Sequence, residues 1–445
     1  MMYIRNTSAM LALAIGLFAG VSAFAQTVPF SANGPTPQSN QNADSFVASP
    51  PVTVMSTAAM NFYGLMFPDM PIGFVRSEAP GQYYAFSSAG SFGGVVTNDP
   101  LPEGTYKFVG SLADLRPAQT RGGKPHYALT IGRVQPSPDG SDFDRDYGGG
   151  GPTYELLLPQ GTSHSTFSAV SPRKALLQIY HGEYWYDYPK GLPAYGGSGL
   201  AVSFDEGTTF AKVGQILAPS LSREDFLATN PSGGLWIDAS MTEADAERGG
   251  NKVLTTPSSP RGVSFYYFIF SDRSSANQGN YLGLGRVDKV DMSEALAHGK
   301  APVLHKYFNP EGLASTGRGE DGNFTEPGLG GRSTPIIGPE TGIYFAQPFL
   351  VYNYYLHKYV LSYMVNQDRI VLQTSDDLFH WSFPTVVVDI RQEQDQRLFY
   401  PSMVGFDRDP VQTGKEFFVY YLQHTLTTTG RPTAPRLQRV EITIR

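Results

Sequence analysis

A hairpin element that occurs twice restricts the fold of this chain more than any other feature of its sequence. In each copy an extended apolar run leads into a tight turn with Asp and then to an aromatic residue, at residues 199–210 and 370–381. The alternating apolar positions predict a β-strand, and an Asp in such a turn accepts backbone N–H bonds. A hairpin module repeated this far apart favours a radial β-repeat over a single sheet.

Five clusters of short predicted strands follow one another from about residue 54 to the C-terminus. Aromatic residues make up 13% of the chain, and there are 48 Gly and 34 Pro. This composition favours strands and tight turns. We therefore predict an all-β fold in which residues 54–445 form a single five-bladed β-propeller domain, with four antiparallel strands per blade. Short helices are predicted at residues 222–228, 241–246 and 292–298, and long loops at 137–152 and 310–332.

The N-terminus has the pattern of a secretory signal peptide. Arg5 precedes an apolar run over residues 9–21, and small residues at positions 23 and 25 predict cleavage before Gln26. Residues 1–25 are then the signal peptide, and residues 26–53, rich in Ser, Asn, Gln and Pro, form a disordered leader. We expect a periplasmic or secreted bacterial protein. Because it has no Cys, its core must hold the fold without disulfides.

Charge and composition restrict the partners of the chain. Its formal net charge is −7, which gives no reason to expect nucleic acid as a partner. No segment after the signal peptide is long and apolar enough to predict a membrane span. The 26 Tyr suit hydroxylated ligands, because each ring is apolar and its tip is polar. We expect a monomer whose partner is a glycan.

Two segments carry the strongest signals for a functional site. Asp69 stands just before the first apolar strand of the first cluster, and such a strand end borders the channel of a propeller. Residues 180–188 place titratable groups among five aromatic rings, where desolvation raises the pKa of a carboxyl group and suits it to general acid catalysis. The candidates in this segment are Tyr180, His181, Glu183 and Trp185. A turn Asp and a packed hairpin with an exposed Glu are the non-functional alternatives.

Three further groups are weaker candidates. Glu326 and Arg332 lie in a glycine-rich segment that suits close approach to a ligand. Asp238 follows a short apolar segment and could face the channel. Asn353 and Tyr400 are polar tips on aromatic strands that could bind sugar hydroxyls. Each group also has a non-functional explanation. Glu326 and Arg332 could lie in an exposed loop, and Asp238 could be a turn residue. Asn353 and Tyr400 could be explained by core packing.

The segment from Asp69 through an apolar strand and a Gly turn to Tyr83-Tyr84 resembles the opening of the family-43 type glycoside hydrolases. These are five-bladed propellers that act on arabinans, xylans and related glycosides. Where their pattern has Asp-Pro, this chain has Asp69-Met70. Residues 375–381 are similar to the Ser-x-Asp-Leu-x-x-Trp turn of that family. Residues 203–210 resemble the Asp box of sialidases, which is structural and lies away from their active site.

The resemblance implies roles for the acidic candidates. Asp69 matches the general base, Glu183 or Glu326 is the candidate acid, and Asp238 is the candidate for the Asp that tunes the pKa of the acid. The residues themselves show no metal-ligand spacing and predict no cofactor. A structural Ca²⁺ in the channel is expected only from the resemblance.

We therefore predict hydrolysis of a poly- or oligosaccharide by paired carboxylates. An inverting mechanism requires carboxyl groups about 6.5–9.5 Å apart, and a retaining one about 5–5.5 Å. Three alternatives remain open: a propeller that binds glycans without cleaving them, a sialidase-like enzyme, and an extracytoplasmic scaffold. A sialidase-like site would need a cluster of Arg side chains to grip the substrate carboxylate.

Overall fold

The computed structural model describes most of the chain from Ser45 to Arg445. The described residues are 45–63, 65, 69–89, 104–118, 120–121, 124–125, 127–130, 132, 134–158, 173–186, 193–229, 234–244, 265–272, 280–310, 323–338, 343–406, 409–426 and 435–445. The predicted signal peptide lies outside these residues, as does most of the predicted leader.

Five antiparallel sheets form a five-bladed β-propeller, which confirms the predicted fold. The chain begins with β1 (Phe46–Ala48), β2 (Val52–Met55) and α1 (Thr57–Tyr63). Blade I then contains β3 (Gly73–Arg76), β4 (Tyr83–Ala89), β5 (Gly104–Ser111) and β6 (Asp114–Pro117). It is followed by the ribbon of β7 (Thr120–Arg121) and β8 (Lys124–Pro125), and by β9 (Tyr127–Thr130), which pairs with β5.

Blades II and III also take their strands in chain order. Blade II contains β10 (Tyr147–Leu158), β11 (Arg173–Trp185), β12 (Ala194–Ser203) and β13 (Ala211–Leu217), followed by α2 (Arg223–Thr229) and β14 (Gly234–Leu235). Blade III contains β15 (Ala239–Ala244), β16 (Phe265–Asp272), β17 (Tyr281–Asp288), α3 (Lys289–Ala297), β18 (His305–Phe308) and β19 (Asn323–Pro327).

The last two blades complete the ring. Blade IV contains β20 (Phe345–Asn353), β21 (Lys358–Val365), β22 (Arg369–Ser375) and β23 (Thr385–Asp389). Blade V contains β24 (Gln396–Gly405), β26 (Glu416–Thr425) and β27 (Arg436–Ile444), while the short β25 (Gln412–Thr413) pairs with β20. The first strands β3, β10, β15, β20 and β24 are the inner strands of their blades, and β20 is buried along its whole length.

The two ends of the described chain close the propeller. Strands β1 and β2 both pair with β27, so residues from the N-terminus complete blade V. The ring of Phe46 is buried and packs on the edge of Phe417, with the ring centroids 6.3 Å apart. Strand β1 lies inside the segment predicted as a disordered leader, so the ordered chain begins before residue 54.

Replacing Phe46 with Ala is expected to lower the free energy of unfolding by about 3 kcal/mol, because a buried ring leaves a cavity. Urea denaturation followed by tryptophan fluorescence measures the change. Phe62→Ala is the control: that ring is 66% exposed, and its loss should cost less than about 0.5 kcal/mol. Equal stability of the two variants would show that β1 does not hold the ring closed.

Three local predictions differ from the structure. The helix predicted at residues 241–246 falls on β15, where pairing with β16 overrides local helix propensity. The loop predicted at 137–152 ends early, because β10 begins at Tyr147; β19 lies inside the loop predicted at 310–332. Gly150 is needed in β10, since a Cβ there would lie 2.0 Å from Oε1 of Gln178. Helix α1 was not predicted.

No helix in the described part of the chain is long and apolar enough to cross a membrane.

The two repeated hairpins occupy equivalent places, between the third and fourth strands of blades II and IV. Oδ1 of Asp205 accepts the backbone N–H of Thr209 over 2.9 Å. Oδ1 of Asp377 accepts those of Phe379 and His380 over 2.9 and 2.8 Å. The predicted Asp turns are therefore confirmed as local structure, and they lie at the outer strands of their blades.

Candidate active site

Every blade contributes a polar residue close to the start of its inner strand. These residues are Asp69 before β3, Glu183 opposite Tyr147 at the start of β10, Asp238 before β15, Gln347 in β20 and Tyr400 in β24. The inner strands of a propeller run in one direction around the channel, so their starts meet at one mouth. Carboxylates that are distant in sequence are thereby brought together.

His181 lies at the centre of this cluster. Its Nε2 is 3.1 Å from Oε1 of Glu183, and its Nδ1 is 3.1 Å from Oδ1 of Asp238. Nδ1 lies within ion-pair distance of Asp238, although the contact does not meet the geometry of a hydrogen bond. Burial by itself would lower the pKa of His181, but the contacts with Asp238 and Glu183 raise it well above its usual value. The imidazole is therefore a cation that links carboxylates from blades II and III.

Asp69 is the carboxyl group with the most altered environment in the cluster. Its backbone N–H donates to Oγ of Ser88 over 2.6 Å, and its Oδ1 accepts a hydrogen bond from the hydroxyl of Tyr400. Burial raises the pKa of Asp69 to about 7; the charges of Glu183 and Asp238 act in the same direction, and His181 and Tyr400 oppose it. Asp69 therefore keeps its proton to a much higher pH than an ordinary aspartate does.

Glu183 is held on both of its carboxylate oxygens. Oε1 faces His181, and Oε2 accepts the indole N–H of Trp185 over 2.5 Å. The backbone N–H of Trp185 donates in turn to Oδ2 of the buried Asp146 over 2.8 Å. These contacts fix the orientation of Glu183.

A glycine makes room for the imidazole. A Cβ at Gly196 would lie 2.9 Å from Cε1 of His181 and 2.6 Å from Cδ1 of Trp236. A side chain at this position of β12 would push His181 away from its two carboxylates. The short glycine run in β12 is therefore part of what positions the site.

Three of these side chains could contribute to a metal site, because ligand atoms of Asp69, His181 and Glu183 all lie within 4.8 Å of one another. A protonated imidazole has no lone pair to offer a metal. Ca²⁺ prefers six to eight oxygen ligands, whereas only two of these three side chains supply oxygen atoms. This donor set therefore does not fit the oxygen-rich shell of Ca²⁺.

The structure brings six of the predicted site residues together: Asp69, His181, Glu183, Trp185, Asp238 and Tyr400. It does not bring Glu326 or Arg332 to this cluster. These two pair with each other at 2.8 Å, and Glu326 lies on β19, four strands outward from β15. At about 4.8 Å per strand, that is roughly 19 Å from the inner strand, so Glu326 is no alternative partner for Asp69.

Two other predicted residues have structural surroundings. Tyr180 is fully buried, and its hydroxyl donates to Oδ2 of Asp144 over 3.2 Å. Asn353 lies at the far end of β20, where its side chain binds Thr413, the carbonyl of Gly414 and the N–H of Leu356. Neither residue has a polar group free for a sugar at the mouth of the channel.

Sequence reasoning missed Gln347 and Ser88. Gln347 is 5% exposed, and its Oε1 accepts the backbone N–H of Tyr400 over 2.7 Å. A recurring signal could have identified it, because a residue followed by Pro recurs just before or within the inner strands of four blades. The copies are Met70-Pro71, Gly151-Pro152, Gln347-Pro348 and Tyr400-Pro401. No comparable pattern marks Ser88.

A groove of about 490 Å³ lies elsewhere, between β13, the segment after α3 and the turn after β19. Its lining includes Val213, Pro302, Val303 and Leu329. None of the clustered carboxylates borders it, so it is separate from the candidate site.

Comparisons with known proteins concern the fold. No protein-family model and no curated protein matches the chain. Among similar solved structures, the catalytic domain of a Coprinopsis cinerea GH62 alpha-L-arabinofuranosidase is 9% identical, with 90% of this chain and 98% of that chain covered and a TM-score of 0.46. A protein of unknown function from Dyadobacter fermentans is 10% identical, with 90% and 99% covered and a TM-score of 0.42.

A third similar structure is an alpha-L-arabinofuranosidase from Clostridium thermocellum. It is 10% identical, with 83% of this chain and 95% of that chain covered and a TM-score of 0.37. These similar structures include glycoside hydrolases. At identities of 9–10% and TM-scores below 0.5, the function has to be argued from the geometry of the site.

Proposed function

We propose that this chain is an exported glycoside hydrolase whose active site is the carboxylate cluster at the mouth of the channel. The observation that carries the proposal is the meeting of Asp69, Glu183 and Asp238, from three successive blades, around His181. Glycoside hydrolysis works through paired carboxyl groups with different protonation states. The indole of Trp185 and the ring of Tyr400 border the same cluster, and aromatic rings suit sugar faces.

The environments of the carboxyl groups suggest which one carries the proton. Asp69, with a pKa of about 7, matches the working pH at which a general acid is most effective. Asp238 faces the protonated His181 and keeps 14% of its side chain exposed. We therefore assign Asp69 as the acid and Asp238 as the base, which reverses the role that the resemblance implies for Asp69.

In this assignment Asp69 gives its proton to the glycosidic oxygen as the bond between that oxygen and the anomeric carbon breaks. Asp238 takes a proton from the water that attacks the anomeric carbon. Glu183 orients His181 and does not itself transfer a proton. Ligand oxygens of Asp69 and Glu183 lie within 4.8 Å of each other, closer than the about 6.5–9.5 Å of an inverting pair, so Glu183 does not fit as the base of an inverting pair with Asp69.

A panel of neutral polysaccharides and aryl glycosides, centred on arabinose and xylose units, tests the proposal. Release of reducing ends or of the aryl group is measured for the purified protein and for Asp69→Asn, Asp238→Asn and Glu326→Gln. We expect cleavage of at least one substrate, lost in Asp238→Asn and unchanged in Glu326→Gln, since Glu326 lies on an outer strand.

Two outcomes contradict hydrolysis. Glycan binding without cleavage, weakened by Asp238→Asn, would support the glycan-binding propeller. Neither cleavage nor binding across the panel would remove the glycan proposal altogether. A sialidase-like function has less support, because Arg332 pairs with Glu326 of the outer strand β19 and Arg397 donates to the carbonyls of Gln394 and Gln396.

A further inference from the structure

Gln347 and Tyr400 share an unusual backbone conformation on neighbouring blades. Their φ angles are 57° and 54°, in the left-handed region that is costly for residues other than glycine. In both inner strands the pairing register shifts at this point, and Pro348 or Pro401 follows. Two equivalent bulges therefore hold strained residues at the mouth of the channel, and such strain persists only where the surroundings enforce it.

A chain of hydrogen bonds connects these bulges with Asp69. The backbone N–H of Tyr400 donates to Oε1 of Gln347 over 2.7 Å, and the hydroxyl of Tyr400 donates to Oδ1 of Asp69. Both Gln347 and Tyr400 are 5% exposed, so water does not readily replace either contact. The chain runs from blade IV through blade V to blade I, where Asp69 lies beside His181 and Glu183 of blade II.

We propose that Gln347 is a positioning residue, which holds the backbone of Tyr400 so that its hydroxyl stays on Asp69 and sets how readily Asp69 gives up its proton. The catalytic meaning of this inference rests on the proposed function. The hydrogen-bond chain itself can be tested without any substrate.

The charges around Asp69 show why one hydroxyl matters there. The groups that act on its pKa are His181, Glu183, Asp238 and Tyr400. Burial and the two carboxylates raise the pKa of Asp69, whereas His181 and the hydroxyl of Tyr400 lower it. Burial raises the pKa of Tyr400 well above its usual value, so its hydroxyl stays protonated and remains a donor at neutral pH.

Carbon-13 NMR of protein labelled at the aspartate carboxyl carbons tests the inference. The signal of Asp69 is identified by its loss in Asp69→Asn, and its titration midpoint in the unmodified protein is expected near pH 7. Tyr400→Phe is expected to raise that midpoint by about one pH unit, since a hydrogen bond to a charged group is lost. Gln347→Met is expected to raise the midpoint as well. The midpoint of the double variant should be no higher than that of Tyr400→Phe alone, because Gln347 acts through Tyr400.

Two further variants separate positioning from a loss of stability. Gln373→Met removes another buried amide of blade IV, which accepts a hydrogen bond from Tyr363 over 2.7 Å. It should destabilise the fold without moving the midpoint of Asp69. Gln347→Gly removes the amide from β20 while adopting a positive φ at little cost, so it provides a folded variant if Gln347→Met does not fold.

An unchanged midpoint in a folded Gln347 variant, or a shift that adds fully to that of Tyr400→Phe, would overturn the inference. The titration needs no substrate. The predicted shifts in a protein that cleaves no glycan would thus support the hydrogen-bond chain and reject the proposed function. If the protein cleaves a glycan but the midpoints of its variants are unchanged, the proposed function is supported and the hydrogen-bond chain is rejected.

Discussion

Replacing Asp69 with asparagine is expected to abolish cleavage of natural glycans while largely sparing aryl glycosides with good leaving groups. Asparagine keeps the shape of the side chain and an oxygen for the hydroxyl of Tyr400, but it has no proton to give. General acid catalysis contributes about 10²–10⁴-fold, so kcat on an oligosaccharide should fall by that factor. A dinitrophenolate leaving group needs no proton, so its release should fall by less than about tenfold. Initial rates on the two substrate types measure the difference.

The same two substrates distinguish the acid from the base. Asp238→Asn should lose activity on both, because activation of water is needed whatever the leaving group. Glu326→Gln should keep both activities, since its side chain is paired with Arg332 far from the cluster. Equal losses on both substrates in Asp69→Asn would make Asp69 the base, as the resemblance to the family-43 type enzymes implies, and would reject the assignment made from its environment.

The position of Asp69 shows how far local sequence leads to a site. A carboxylate immediately before an apolar strand is a common turn feature, and only the repeated strand clusters made it a channel residue. Once a propeller is predicted, the starts of its inner strands must meet, so Asp69 and Asp238 become neighbours by architecture. Glu183 was found for another reason, because its aromatic neighbours mark a desolvated carboxyl group.

The remaining residues show where sequence reasoning fails. Tyr400 contacts Asp69 although the two residues are 331 positions apart in the chain, and no local sequence pattern predicts that contact. Gln347 carries no chemical signal of its own, since its role depends on a backbone bulge and on the next blade. Glu326 was chosen because glycines surround it, but the pairing of β18 with β19 places it at the outer edge of blade III. Such contacts are set by tertiary pairing and are invisible in a single segment.

Asp69→Asn is also expected to make the protein more stable at alkaline pH, although it removes the proposed acid. The pKa of Asp69 is about 7 in the folded protein, against an ordinary value of 3.8 for an aspartate. Between these values the folded state binds a proton that the unfolded state has released, so stability falls as pH rises from about 4 to about 7. Above pH 7 the whole penalty of a buried, ionised carboxylate is present, and asparagine avoids it.

The expected gain at pH 8 is about 2–4 kcal/mol, from about 1.4 kcal/mol for each unit of pKa difference, reduced by coupling to His181. At pH 4 Asp69 is protonated in the folded state, and the two proteins should differ little. Urea denaturation at pH 4.5, 6 and 8 measures the change. If the difference in free energy of unfolding between the two proteins does not depend on pH, Asp69 does not titrate in this range.

Asp205→Asn provides a control, because its expected change in stability at pH 8 is opposite to that of Asp69→Asn. Burial favours protonation of Asp205, but its hydrogen bonds with Thr209 and Ser203 outweigh it and lower its pKa. Its stabilising contribution is therefore present above the unfolded value and is lost as pH falls, so Asp205→Asn should weaken the fold at pH 8. If Asp69→Asn also weakens it there, the carboxylate cluster is held together by its charges. If it strengthens the fold, Asp69 is kept at the mouth of the channel at a cost in stability, which fits a residue retained for its chemistry.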